Sequence, residues 1–105
     1  AMQSAIVAVE LAEKALESAG ELDAAKAAVE ADSNDLAARQ EYALALYAVG
    51  ANAEAMAQLL ESIQIERGWN DDAARLQLLE FFATLGAANP DVIAARRKLS
   101  TLLFS

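Results

Sequence analysis

No cysteine and no histidine occur anywhere in the 105-residue sequence. Their absence removes disulfides, thiolate nucleophiles, imidazole bases and the usual zinc ligands together. One proline and four glycines are all that can punctuate the chain, so long turns and loops are few. Basic residues are half as frequent as acidic ones, 8 against 16, giving a net charge of −8. That balance repels nucleic-acid phosphates and anionic headgroups, and it predicts neither nucleic acid nor membrane as partner. No uncharged run approaches the roughly 20 residues that span a bilayer. The opening AMQSAIVAVELAEKA lacks a basic n-region and meets Glu10 early, unlike a secretory leader.

What remains is mostly alanine and scattered larger apolar residues. The apolar share is 56%, but a methyl group buries too little area to hold a fold alone, so the core rests on Leu, Ile, Val, Met and the aromatics. Alanine is the best helix former, and this composition predicts an all-α fold of closely packed helices. The length fits one domain over residues 1–105. The charge is uneven: residues 1–66 carry twelve acids and three bases, residues 67–105 four acids and five bases. An acidic N-terminal part therefore meets a nearly neutral C-terminal part.

Gly20, Gly50 and Gly86 each close a helical pattern and precede another, as suits a residue in the left-handed conformation at a helix end. They divide the chain into hairpins of about 4–32, 33–66 and 69–104, with six antiparallel helices. Ile6, Val9, Leu11 and Leu16 mark the first helix; Leu22, Ala25 and Val29 mark the second. Asp32-Ser33-Asn34-Asp35 supplies cap oxygens for the third. The third helix carries Leu36, Tyr42, Leu44, Leu46, Tyr47 and Val49 around so much of its circumference that it is expected to be the central, most buried one. Asn52 is read as the cap of the fourth, with Met56, Leu59, Leu60, Ile63 and Ile65 on its apolar face. Asn70 is read as the cap of the fifth, with Asp71 and Asp72 in its first turn and Arg75 pairing with one of them. Asn89-Pro90-Asp91 starts the sixth.

The hairpins repeat. Gly50 and Gly86 lie 36 apart and Gly20 and Gly50 lie 30 apart, near the 34 residues of a tetratricopeptide repeat. With Gly50 at the turn, Tyr42 and Ala43 fall on the large-then-small pair of the first helix, Leu46 on its aromatic position, and Ala55 and Leu59 on the small and large positions of the second. Leu16, Gly20, Ala25 and Val29 match in the first hairpin; Leu78, Phe82 and Gly86 match in the third, which drifts after Pro90. Arg67 stands where the repeat's terminal proline would fall. The pattern predicts a right-handed superhelical array of tetratricopeptide-like hairpins.

A closer resemblance lies in ELDAAKAAVEADSNDLAARQEYALALYAVG, AMAQLLESIQIERGWNDDAARLQLLEFFATLG and RRKLSTLLF, within residues 21–104. These strings resemble the C-terminal tetratricopeptide-like region of bacterial thioredoxin-fold co-chaperones, the YbbN or chaperedoxin family. Gly68 to Asp71 with Arg75, and the ending Arg96 to Phe104, carry most of the likeness; Ser33 departs from it where the family often has proline. The resemblance implies a C-terminal fragment of a larger cytoplasmic protein whose thioredoxin-fold domain precedes it. It also implies that the fragment binds unfolded clients or chaperone partners, or packs on its own thioredoxin-fold domain.

Tetratricopeptide arrays bind partners on the concave face of their first helices. Carried onto this sequence, that face holds Glu10, Lys14 and Glu17, then Gln40, Leu44 and Tyr47, then Leu76 and Glu80. Leu44, Tyr47 and Leu76 have a second reading, as residues that close a small core. Trp69 reads as a wedge between helices rather than a contact residue. Asp71 and Asp72, and Asp32 and Asp35, lack the alternating oxygens and distal glutamate of a calcium loop. No nucleophile-base pair, phosphate loop or dinucleotide fingerprint occurs, so the sequence predicts a non-enzyme without metal or cofactor. Arg96-Arg97-Lys98 before Leu99, Leu102, Leu103 and Phe104 is expected to pack back on the fifth helix. If that apolar ending is exposed instead, self-association becomes the alternative function, as an oligomerisation domain.

Overall fold

The computed structural model describes residues 21–104 as five helices without a strand. They are α1 (residues 21–31), α2 (Leu36–Ala48), α3 (Asn52–Ile65), α4 (Trp69–Leu85) and α5 (Pro90–Phe104). They correspond to the second through sixth helices read from the sequence. The first expected helix and Gly20 lie outside the described residues.

Local chemistry sets most of the boundaries. The Asp35 side chain accepts from the Ala38 amide at 3.0 Å, which satisfies one of the orphan donors at the start of α2. Asn89 caps α5, accepting from the amides of Asp91 at 2.8 Å and Val92 at 3.4 Å. Pro90, the first residue of α5, has no amide hydrogen to satisfy. Gly50 has φ +84°; its amide donates to Tyr47 O at 3.0 Å and the Ala51 amide to Leu46 O at 2.9 Å, the paired bonds of a Schellman ending. Gly86 ends α4 at φ 96°, ψ 149°, a region that is essentially glycine's alone.

Two expected caps take other roles. Asn52 is itself the first residue of α3, whose cap Ala51 has no side-chain bond to offer. Asn70 does not cap α4: Asn70, Asp71 and Asp72 hold φ of 48°, 56° and 65° in succession, a left-handed turn that precedes the regular helix. Asn and Asp tolerate that region better than other non-glycine residues, so the cap-like sequence DD after Asn70 served a different backbone. Asp72 meets Arg75 at 3.3 Å, as the spacing predicted.

The central helix is α3, not α2. It packs against α2, α4 and α5, and Ala55, Met56, Leu59 and Ser62 on it are fully buried. The core joins these to Ala43 and Leu46 of α2, Leu78, Phe81 and Phe82 of α4, and Val92, Ala95 and Leu99 of α5. The wide apolar circumference of α2 misled because Leu44 and Val49 remain exposed. Likewise α5 lies chiefly along α3, although Arg96 sits over the Phe82 ring of α4, 5.5 Å from its centroid. Buried Arg39 fastens α2 to its neighbours, donating to Gln58 Oε1 at 2.7 Å and Ser33 O at 2.6 Å. Arg67, at the proline position of the repeat, donates instead to Leu102 O and ties down the end of α5.

Candidate protein-binding surface

Of the expected surface, Glu10, Lys14 and Glu17 lie outside the described residues. Gln40, Leu44 and Tyr47 occur on α2, and Leu76 and Glu80 on α4. Two contacts fix how these helices meet. Gln40 Nε2 donates to Ala73 O at 3.5 Å, and the rings of Tyr47 and Phe81 stack with centroids 4.2 Å apart and planes 3° off parallel. The contact residues ascend together along both helices, so α2 and α4 run parallel. Their offsets of 33 and 34 residues reproduce the period of the repeat.

The offset follows from packing. Residues 53–60 of α3 and 91–98 of α5 line one groove, and residues 57–64 and 97–102 the next, so α3 and α5 are parallel too. Their register is about 38 residues, roughly one helical turn more than that of α2 and α4. The extra turn belongs to the longer α4, and it accounts for the drift after Pro90.

On the resulting surface Leu44 is 44% exposed and Leu76 is 54% exposed, and Glu80 is exposed too. Gln40 and Tyr47 are half-buried. Tyr47 is thus held in place by the buried Phe81 ring, a pairing worth about 0.5–1.5 kcal/mol beyond area burial. Sequence reasoning from the repeat pattern singled out Phe82 and gave Phe81 no part in setting that ring. It also passed over Leu79, exposed one turn after Leu76; the i, i+3 spacing was the available signal. Half-buried Trp69 lines a shallow groove with Leu36 of α2 and Ile65 of α3, at the junction of three helices.

Among the described residues no group of three or more acids converges as a metal site, and no helix is long and apolar enough to cross a membrane. The described residues form a stack of helical hairpins that offers helix faces. A tetratricopeptide-repeat family model matches residues 15–104, and the chain belongs to that family. Nothing among curated proteins and nothing among solved structures matches it. Tetratricopeptide repeats generally mediate protein–protein interaction and are typically non-catalytic.

Proposed function

We propose that this chain is the protein-interaction module of a thioredoxin-type co-chaperone, binding unfolded clients or chaperone partners in the bacterial cytoplasm. The observation that carries the reading is the parallel pair α2 and α4, which presents exposed Leu44 and Leu76 beside polar Gln40 and Glu80. Apolar anchors rimmed by polar groups suit an extended or helical apolar segment. The resemblance of the segments around Gly68 to Asp71 and Arg96 to Phe104 to the chaperedoxin family supplies the co-chaperone part. In this reading residues 1–105 form one domain at the C-terminal side of a thioredoxin-fold protein. Glu10, Lys14 and Glu17 then extend the same concave face of a right-handed superhelix.

A second reading has its own observation. Phe104 is 86% exposed, and Ile93 and Leu79 are exposed as well, so the last hairpin leaves large apolar side chains uncovered. That favours an oligomerisation domain packing on itself or on the missing N-terminal domains. Suppression of aggregation of a chemically unfolded client, with the mass measured by light scattering in the same buffer, separates the two. Near-stoichiometric suppression by a monomer that is weakened in Leu44→Ser with Leu76→Ser supports client binding. A stable dimer without suppression supports assembly and removes the client-binding reading.

A further inference from the structure

The parallel pair α3 and α5 forms a furrow of its own, on helices that contribute nothing to the α2–α4 face. One stretch of it has a volume of about 380 Å³, with Ala57, Leu60 and Leu102 among its lining residues and Arg97, Lys98 and Glu61 beside them. The two cations stand out as an adjacent pair; Lys26, also without a side-chain partner among the described residues, lies apart on α1. Arg39, Arg67 and Arg75 are engaged with Gln58, Leu102 O and Asp72, and Arg96 covers Phe82. Arg97 and Lys98 make no side-chain hydrogen bond or ion pair with a described residue. They are adjacent, exposed and placed on a half-apolar floor, in a protein carrying twice as many acids as bases.

We propose that this furrow is a second docking site, taken by an acidic amphipathic segment of a partner protein. The apolar residues of that segment lie on Leu60 and Leu102, and its carboxylates face Arg97 and Lys98. Charge complementarity selects the occupant: the rest of the surface repels an anionic partner at long range, so only a segment whose apolar seam also fits gains by approaching. The furrow is held open beforehand. Asn89 fixes the start of α5, and Arg67 fixes its end through Leu102 O, which lowers the ordering cost of binding. Glu61 on the opposite wall opposes an anionic ligand and sets a limit on affinity.

The test is fluorescence anisotropy on the full chain with two labelled amphipathic peptides of about four helical turns, one with glutamate flanking a leucine seam and one with lysine in place of glutamate. The acidic peptide is expected to bind and the basic one not. Arg97→Glu with Lys98→Glu weakens the acidic peptide on the order of tenfold and favours the basic one, whereas Glu61→Lys tightens the acidic peptide several-fold. Raising the ionic strength from about 0.05 M to about 0.5 M weakens the wild-type complex. All three positions are exposed, and an unchanged circular-dichroism spectrum of each variant checks that the fold is intact. Equal binding of the two peptides, no binding of the acidic one, or indifference to the charge reversal overturns the proposal. So does equal binding of a single-stranded DNA oligomer, which points to phosphate rather than carboxylate recognition. None of these outcomes touches Leu44 or Leu76, so the two sites stand or fall separately.

Discussion

The two ends of the described structure are built from different materials. Along α1 the buried residues are Ala25 and Val29, and the groove shared with α2 is lined by Ala24, Ala25 and Ala28 opposite Leu44, Ala45 and Ala48. Around α3 the buried residues are Met56, Leu59, Leu78, Phe81, Phe82 and Val92. A fully buried Leu or Phe contributes about 1.5–3 kcal/mol, and a single methyl less than about 1. The α1–α2 seam buries little apolar area, while the α3–α4–α5 unit buries much more. Stability therefore concentrates in the second unit, and α1 is the first described element expected to open. The contrast teaches that an alanine-rich repeat supplies shape at its seams and stability only where large residues meet.

The sharpest way to break that contrast is a pair of truncations read by urea denaturation. Leu78→Ala, at a position with no exposure, is expected to cost about 2–5 kcal/mol, and Val29→Ala about 1–2. Equal losses at both sites would end the distinction between seam and core. Next in size is Gly86→Ala, with an expected loss of about 1–3 kcal/mol. A Cβ there meets nothing within 4 Å, so the loss comes from φ +96° alone. If Gly86→Ala is neutral, the connection between α4 and α5 is not the strained ending inferred from the backbone.

A double-mutant cycle on Tyr47 and Phe81 probes the bridge between the two regions, since the stack joins α2 to α4. A coupling of about 0.5–1.5 kcal/mol is expected; none would show that the two rings merely lie near each other. The smallest effect is expected at Ser62, fully buried in α3 with its hydroxyl lacking a hydrogen-bond partner. Ser62→Ala keeps a small side chain at that contact and removes an unpaired polar atom, so it should raise stability by up to about 1 kcal/mol. A clear loss in the thermal midpoint would reveal a partner for the hydroxyl and a more polar centre than the core described above.

Features carried by a few neighbouring residues were legible in the sequence. Asp35, the Asn89-Pro90 start, the positive φ of Gly50 and Gly86, and the Asp72–Arg75 pair all act within one turn of chain. The small-large pattern was legible as well: Ala43, Ala55, Leu59 and Leu78 are buried where the repeat places them. Of the candidate surface, Leu44 and Leu76 are exposed, while Gln40 and Tyr47 are half-buried. The fixing of Tyr47 by Phe81 depends on a contact 34 residues away and could not be read from either helix. Asn52 and Asn70 misled because the same residue type serves as cap, first helical residue or left-handed turn, and neighbouring packing chooses among them.

By itself, then, the sequence determined that this protein is helical, where its hairpins turn and that they repeat, because propensity, capping and glycine geometry act over distances shorter than a helix. Only the tertiary structure decided that α3 is the centre, that α5 lies along α3 a turn out of register, and that Arg97 and Lys98 edge an open furrow. Those outcomes depend on which apolar face finds which partner across the fold. Burial is a property of the pair of surfaces in contact, and a single helix carries only half of it.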